Sequence, residues 1–406
     1  MRTHANLRTL TVISLFVPVF AGIGPNPAHA ALQDTQTYIK RGEQLLQAND
    51  LKGAEAQFRT AVQRAPEDGG IHIRLAQIYI KENDLNAAQA ELIAAKRSGV
   101  NSEQYDVVLA EVLFRKGELG QLLRDIPAGN RAPQMESTVR TYRGLAELSL
   151  GETSDASTML KDAERLDPKS VTAKIATVRF LLAMPDLPAA DRKADEVLAI
   201  APRNSSLLTL KGNIALSRGD AKDALNYFNG AVKEDPNSAE ALLARSSYYL
   251  GTGDLDHAEQ DVKAVKRLGG NNSMVIYLDA SIAARRGNYQ SADAALAKLR
   301  GVIDRFPDGY LLAGIIKYNL KQDEQATDYL TRYIARRPDR SVAYQVLGAI
   351  ALRQKDADRA ITMLNQAIKL APDNRNAIQL LAEAQKARGD PETIRILEEA
   401  KKARGK

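Results

Sequence analysis

The residues of this sequence that could carry out acid–base, nucleophilic or metal chemistry are few and widely separated. The chain has no cysteine, which excludes disulfides, thiol nucleophiles and thiolate-bound metals. Of the four histidines, only His72 and His257 lie beyond residue 30, in distant parts of the sequence. The sequence contains no HExxH zinc motif, no GxSxG nucleophile motif and no GxxxxGK[ST] phosphate-binding loop. We therefore predict no metal site and no nucleophilic active site.

Acidic pairs are present, but they occur where charge is ordinary. Glu398 and Glu399, for example, lie in a strongly charged segment typical of a solvated helix surface. A glycosidase-type pair would need one carboxyl group in an environment that raises its pKa, and nothing in the pattern indicates one. We predict no catalytic residues, no cofactor and no enzymatic activity. A hydrolase remains the weakest of three alternatives.

The charge balance is nearly neutral once the first 30 residues are set aside. The whole chain has a net charge of +6, but Arg2 and Arg8 lie in a segment without acids, so the remainder carries 54 basic and 50 acidic residues, or +4. Dense basic stripes with interleaved aromatic residues, which are typical of nucleic-acid-binding surfaces, are missing. We predict no nucleic-acid partner.

The N-terminus has the pattern of a secretory signal peptide. Arg2 and Arg8 form a positive region, residues 10–23 are mostly apolar, and Ala28-His29-Ala30 is a small-x-small cleavage site. The apolar run is shorter than the roughly 20 residues needed to span a bilayer. We expect residues 1–30 to be removed and residues 31–406 to form the exported protein, without a membrane span and, in a Gram-negative bacterium, in the periplasm.

The elements that must position any functional side chain follow from a repeat of 34 residues. Starting at Ala54, every thirty-fourth position is alanine except for Leu122 and Ile394: Ala88, Ala156, Ala190, Ala224, Ala258, Ala292, Ala326 and Ala360. Nine alanines in eleven positions, without a single gap, indicate a repeat architecture along the whole chain beyond the N-terminal segment.

Other positions of the repeat explain how it folds. Twelve residues before each alanine stands a small residue such as Gly144 or Gly212, with Val178 as the exception. Four residues after eight of the nine alanines stands a large apolar residue such as Leu160 or Phe228. Small and large positions of this kind predict two closely packed helices, A and B. Gly-Asp or Asn-Asp pairs between them end helix A and cap helix B. Prolines end helix B in six repeats: Pro66, Pro168, Pro202, Pro236, Pro338 and Pro372.

This spacing resembles the tetratricopeptide repeat from residue 35 to about residue 402. The segments 54–66, 224–236 and 360–372 are close to ideal second halves of such repeats. The resemblance implies an all-α fold, a right-handed α-solenoid of about eleven helix-turn-helix units in one domain, with A helices lining a concave groove. The units begin near residues 35, 69, 103 (degenerate), 137, 171, 205, 239, 273, 307, 341 and 375, and a polar capping helix over residues 391–402 closes the array.

In tetratricopeptide repeat proteins, partners bind at fixed positions on the groove side of helix A. The resemblance implies the following groove residues in this chain: Arg179, Asn213, Tyr277, Ser281, Arg285, Leu311, Ile315, Asn319 and Arg353. The Lys and Asn pattern that clamps a peptide's terminal carboxylate in chaperone-binding relatives is missing. Each of these side chains has an alternative role in packing between neighbouring repeats.

The third repeat departs from the pattern. Its second half, residues 118–133, has Leu122 in place of alanine and contains Pro127 and Pro133. Helix B must be short here and must be followed by a loop. Two interpretations stay open: a tolerated degenerate repeat, or a hinge or partner-contacting loop.

From these observations we predict an exported scaffold that binds a protein partner in its groove. The signal peptide, the unbroken array and the Asp-Ile-Pro-Ala-Gly stretch at 125–129 are similar to repeat proteins of exopolysaccharide export and of the exosortase (PEP-CTERM) system. The alternative from another class is a module that binds glycan directly. That module would need aromatic platforms, which only tyrosines such as Tyr277 would supply, since the chain has no Trp.

Overall fold

The computed structural model describes residues 27–299, 301, 303 and 307–389, with side chains from residue 34 onward. This part of the chain is built from 21 α-helices and contains no strand. Residues 1–26 of the predicted signal peptide and the predicted capping helix at 391–402 lie outside the described residues. No helix among the described residues is long and apolar enough to cross a membrane.

The helices alternate between the two predicted types. The A helices, which open each repeat, are α1 (Pro27–Gln47), α3 (Gly69–Lys81), α5 (Ser102–Lys116), α7 (Pro133–Leu150), α9 (Val171–Ala183), α11 (Ser205–Arg218), α13 (Ala239–Thr252), α15 (Ser273–Arg285), α17 (Pro307–Asn319), α19 (Ser341–Arg353) and α21 (Arg375–Arg388).

The B helices pack against the A helices that precede them, except for α6, which packs against α7. They are α2 (Leu51–Arg64), α4 (Leu85–Arg97), α6 (Leu119–Asp125), α8 (Thr153–Leu166), α10 (Leu187–Ile200), α12 (Ala221–Glu234), α14 (Leu255–Arg267), α16 (Tyr289–Leu296), α18 (Asp323–Arg336) and α20 (Ala357–Leu370). A short 3₁₀ helix, Ala297–Leu299, follows α16. The predicted helical hairpins and their 34-residue register are confirmed.

The chain divides into two compact units, residues 1–112 and 113–406, and the boundary falls within α5 of the degenerate third repeat. In unit 1, the buried core is formed by α2, α3, α4 and part of α5, with Phe58, Leu75 and Leu92 at its centre. In unit 2, the core runs as successive clusters between neighbouring helices from α9 to α21.

The sequence pattern accounts for the turns between the helices. Gly253 ends α13 with a left-handed φ of +86°, which glycine adopts without strain. Asp254 follows, and its carboxylate accepts a hydrogen bond from the His257 N–H at 3.2 Å, which caps α14. The same arrangement, with Asn49 in place of glycine, joins α1 to α2. These contacts confirm the predicted end and start signals.

The small residue of helix A is needed because the large residue of helix B occupies the space beside it. A Cβ added to Gly212 would lie 2.6 Å from Cδ1 of the Phe228 ring, and one added to Gly144 would lie 2.8 Å from Cγ of Leu160. Both large residues are fully buried, so they cannot move aside. The repeat alanines from Ala54 to Ala360 are also fully buried. Packing between a small and a large residue therefore holds each hairpin together.

The degenerate third repeat is short, as predicted, but it is firmly attached to the next helix. Helix α6 has seven residues, and the loop 126–132 follows it. Arg143 on α7 donates from Nη1 to the carbonyls of Leu123 (2.9 Å) and Ile126 (2.8 Å), and so replaces the missing last turns of helix B. The buried Glu136 accepts hydrogen bonds from the Gly129 N–H (2.8 Å) and from Arg131 (2.9 Å). These contacts favour the degenerate-repeat interpretation for this loop.

The close contact between Gly212 and Phe228 can be tested with one methyl group. Gly212→Ala should destabilise the protein by about 1–3 kcal/mol, because overpacking a rigid interface forces side chains and backbone to shift. Gly230→Ala is the matched control: it lies in the adjacent helix, and its added Cβ would meet only Leu208 at 3.7 Å. The control should be neutral or slightly stabilising, since alanine favours helix more than glycine. Urea unfolding of both variants measures the difference; equal midpoints would contradict the packing argument.

Candidate functional site

In unit 2, the A helices share one continuous face. Each A helix from α7 to α21 contacts the next A helix along the chain, whereas consecutive B helices make no comparable contacts within the described residues of this unit. The A helices are therefore closer together than the B helices, so the face that they share lies on the inside of the curve. We call this surface the groove face.

The first predicted groove residue, Arg179 on α9, takes part in a polar network across three A helices. Its Nη2 donates to Ser206 Oγ on α11 at 2.6 Å and to both carboxylate oxygens of Glu240 on α13 at 2.7 Å. Ser206 Oγ in turn donates to Glu240 Oε2 at 2.7 Å. The network joins residues 61 apart in the sequence.

The next predicted residues lie on neighbouring helices of the same face. Asn213 on α11 is exposed, as is Ser247 on α13, which the sequence interpretation did not include. Tyr277 on α15 is half-buried, Ser281 is buried, and Arg285 at the end of the helix is exposed. Exposed amide, hydroxyl and guanidinium groups and a half-buried phenol ring thus lie on three consecutive A helices, α11, α13 and α15.

The environment of Tyr277 keeps its phenol protonated. Burial raises the pKa of Tyr277, and the nearby Asp308 carboxylate raises it further, while Ser281 and Arg285 partly oppose this shift. Asp308 lies on α17, and Arg285 lies on α15, so the phenol has an acidic residue and a basic residue in its surroundings. Tyr277 can therefore act as a neutral hydrogen-bonding group with an apolar ring, but not as a phenolate.

Three predicted residues on α17 provide an apolar strip. Leu311 and Ile315 are half-buried, and Leu311 also packs against the buried core of the neighbouring repeats. Asn319 donates from its side-chain nitrogen to the Ile315 carbonyl at 2.8 Å, which satisfies the end of the helix. Leu311 and Ile315 therefore serve both as packing residues and as part of the exposed face.

The last predicted residue, Arg353 on α19, is held by its own chain. Its Nε donates to Asp323 Oδ2 at 2.8 Å, its Nη2 also pairs with Asp323 Oδ1, and its guanidinium lies 4.3 Å from the centre of the Tyr318 ring. These contacts join α19 to α17 and α18 of the preceding repeat. Arg353 therefore contributes to repeat packing through all of these contacts.

The sequence interpretation missed a set of buried ion pairs between A and B helices. Lys211 on α11 is almost fully buried, and its Nζ donates to Asp191 Oδ1 at 2.7 Å and to Asp195 Oδ1 at 2.6 Å, both on α10. Lys317 pairs with Asp293 at 2.8 Å in the same manner. A lysine in the middle of an otherwise apolar A helix was the signal that could have revealed these pairs.

The ion pairs change the acid–base properties of their members. Burial alone would raise the pKa of Asp191, but the contacts with Lys211 and Arg218 outweigh burial and lower it. Burial alone would lower the pKa of Lys211, but the hydrogen bonds that it donates to Asp191 and Asp195 raise it. Both groups are therefore charged in the folded protein over the whole neutral range.

The two histidines have separate structural roles. In unit 1, His72 Nδ1 lies 2.6 Å from Glu91 Oε2, and Nε2 lies 3.0 Å from the Pro66 carbonyl. In unit 2, the His257 ring stacks on Tyr249, with 5.1 Å between the ring centres. Among the described residues, no three His, Asp or Glu side chains lie close enough together to hold a metal ion.

Stacked helical hairpins with a continuous groove face define a helical-repeat scaffold, and sequence comparison specifies which kind. Family models described as tetratricopeptide repeats match residues 45–118, 209–273, 308–340 and 341–374, together about half of the chain. The chain belongs to the tetratricopeptide repeat family, whose members are protein-interaction scaffolds.

Curated relatives include two proteins of Komagataeibacter xylinus. Cellulose synthase 2 operon protein C is 29% identical over 232 residues, which are 52% of this chain and 18% of the relative. Cellulose synthase 1 operon protein C is 26% identical over 229 residues, which are 50% of this chain and 16% of the relative. The chain therefore spans less than a fifth of the length of these relatives.

Solved structures with similar helical repeats have low sequence identity. A tetratricopeptide repeat protein from Parabacteroides merdae is 19% identical with a TM-score of 0.43, and the match covers 61% of this chain and 98% of that one. Yeast Tom70 is 15% identical with a TM-score of 0.39, and the match covers 90% of this chain and 92% of that one. At these scores the family assignment rests on the sequence matches.

The stability effect of the buried lysine provides a pH-dependent test. Replacing Lys211 by Met leaves Asp191 and Asp195 without their shared cation, which should cost about 3 kcal/mol at pH 7. Because the folded pKa of Asp191 lies below its unfolded value, this stabilisation is present above about pH 4 and is lost as the pH falls. Because the folded pKa of Lys211 lies above its ordinary value of 10.5, the stabilisation from this lysine is present below that value and is lost as the pH rises further.

Urea unfolding of Lys211→Met at pH 7 and pH 3 measures this effect. The difference from the wild-type protein should be large at pH 7 and much smaller at pH 3. Lys222→Met, which removes an exposed lysine from α12, should differ little from the wild type at either pH. An equal loss for Lys211→Met at both values would assign the effect to packing instead of to the ion pair.

Proposed function

We propose that this chain is an exported scaffold that binds a protein partner on the groove face of unit 2 and serves in polysaccharide assembly or export. The observation that carries the binding proposal is the groove face itself. It combines half-buried apolar side chains (Leu311, Ile315), a protonated phenol (Tyr277) and exposed polar groups (Asn213, Arg285) on consecutive A helices. Apolar anchors among a few hydrogen-bonding groups suit the side chains and backbone of an extended peptide.

The polysaccharide pathway is supported by the relatives and not by the groove. The two Komagataeibacter xylinus proteins are named for cellulose synthase operons, and they align with about half of this chain. A scaffold of this family would hold protein components of such a system together. Direct contact with the glycan is a second candidate function, for which Tyr277 would supply the aromatic ring.

Site-specific photo-crosslinking in the native cell tests the binding proposal. A photoreactive amino acid at Asn213 or Ser247, both exposed on the groove face, should capture a specific protein that mass spectrometry identifies. The same amino acid at Ala199, exposed on the B helix α10, is the matched control and should not capture that protein. We expect the difference because only the first two positions lie on the A helices.

Three outcomes would contradict the protein-partner proposal. Equal capture of the partner from Asn213 and from Ala199 would show that the contact does not depend on the groove face. Binding of purified protein to the polysaccharide, with loss of that binding in Tyr277→Ala, would favour the glycan-binding candidate. Hydrolysis of the polysaccharide by purified protein would contradict both, since neither candidate is an enzyme.

Export is proposed from the N-terminal pattern. If residues 1–30 are a signal peptide, the protein isolated from the periplasmic fraction should begin at Ala31, which intact-mass measurement determines. Ala28→Leu together with Ala30→Leu removes the small-x-small site and should leave a heavier, membrane-retained precursor. A mature protein that starts at Met1 and stays in the cytoplasmic fraction would contradict the proposal.

A further inference from the structure

The network of Arg179, Ser206 and Glu240 has an unusual reach for an ion pair between repeats. Arg353 and Asp323, for comparison, join residues 30 apart and connect adjacent repeats. Arg179 and Glu240 are 61 residues apart in the sequence, with α10, α11 and α12 between them. The pair therefore connects the fifth repeat with the seventh.

The geometry requires a curved arrangement of the three helices. Helix α9 contacts α11, and α11 contacts α13, but α9 and α13 are separated by the helix between them. The two charged side chains meet only because the A helices are close together on the inside of the curve. Ser206 is a small residue between the two, and its hydroxyl accepts a hydrogen bond from Arg179 and donates one to Glu240.

We propose that Arg179, Ser206 and Glu240 form a releasable strap that sets the curvature of repeats five to seven and the width of the groove there. The strap lies on the groove face, so a partner segment that enters this part of the groove must pass over it or displace it. This inference concerns the protein by itself and does not depend on the proposed function.

The exposure of the strap makes it releasable. The side chains of Arg179 and Glu240 are 33% and 38% exposed. An ion pair this accessible to water stabilises a fold only slightly, because the pair gains little over separate hydration of the two charges. Ion pairs such as Lys211 with Asp191 are almost fully buried, so their release would leave an unpaired charge inside the protein. The strap can therefore open without unfolding of the hairpins.

Distances between two spin labels, measured by pulsed electron–electron double resonance, test the strap. The chain has no native cysteine, so labels attach only at introduced cysteines. Spin labels at Ala183→Cys and Thr252→Cys would mark the ends of α9 and α13, where both residues are exposed. Glu240→Gln should lengthen the mean distance between the labels and broaden its distribution. Arg179→Gln should have the same effect.

The controls separate the strap from a general loss of charge. The exchange of charges, Arg179→Glu with Glu240→Arg, should restore the wild-type distance. Glu234→Gln removes the partner of Arg203, a 2.7 Å pair between the loop before α11 and the end of α12, and should leave the distance unchanged. Circular dichroism should show wild-type helix content in every variant.

The proposal is overturned if the distance distribution is the same in the wild type, Glu240→Gln and Arg179→Gln. It is also overturned if Glu234→Gln changes the distribution as much as Glu240→Gln, or if the charge exchange fails to restore the distance. Photo-crosslinking from Asn213 addresses the proposed function separately, so failure of one experiment leaves the other intact.

Discussion

The packing of a small residue on helix A against a large residue on helix B is the contact on which the rest of this protein depends. Gly212 against Phe228 and Gly144 against Leu160 bring the two helix axes close together. Because the contact recurs in most repeats, the hairpins of unit 2 from α7 onward have similar geometry and stack on one another. The groove face exists only because this spacing is constant, since consecutive A helices must stay in contact over many repeats.

Polar contacts favour one register of the packed apolar helices over others. The buried pair of Lys211 and Asp191 connects one repeat to the next through a geometry that a shifted register would not satisfy. At the degenerate third repeat, Arg143 takes over the role of the missing helical turns by binding two carbonyl groups. The array thus tolerates an irregular unit because side chains replace the lost backbone contacts.

The groove face has different properties along unit 2. Near α9 to α13 it is crossed by the pair of Arg179 and Glu240, whereas near α15 to α17 it presents Tyr277, Leu311 and Ile315. The second stretch suits an apolar side chain of a partner, and the first can change its width. A scaffold with both properties can hold a partner and respond to it within one continuous surface.

The 34-residue pattern by itself determined the helical hairpins and their turns, because each of these depends on residues close together in the sequence. Asn213 and Arg285 are exposed on A helices and Tyr277 is half-buried, and their role as partner-contacting residues, which the family resemblance implies, stays a prediction. Only the tertiary structure decided how those side chains are used. Arg353 is held by Asp323 and Tyr318, and Arg179 reaches Glu240 across another helix. These pairings depend on the curvature of the stacked repeats, which arises from packing between distant residues and leaves no mark in the local sequence.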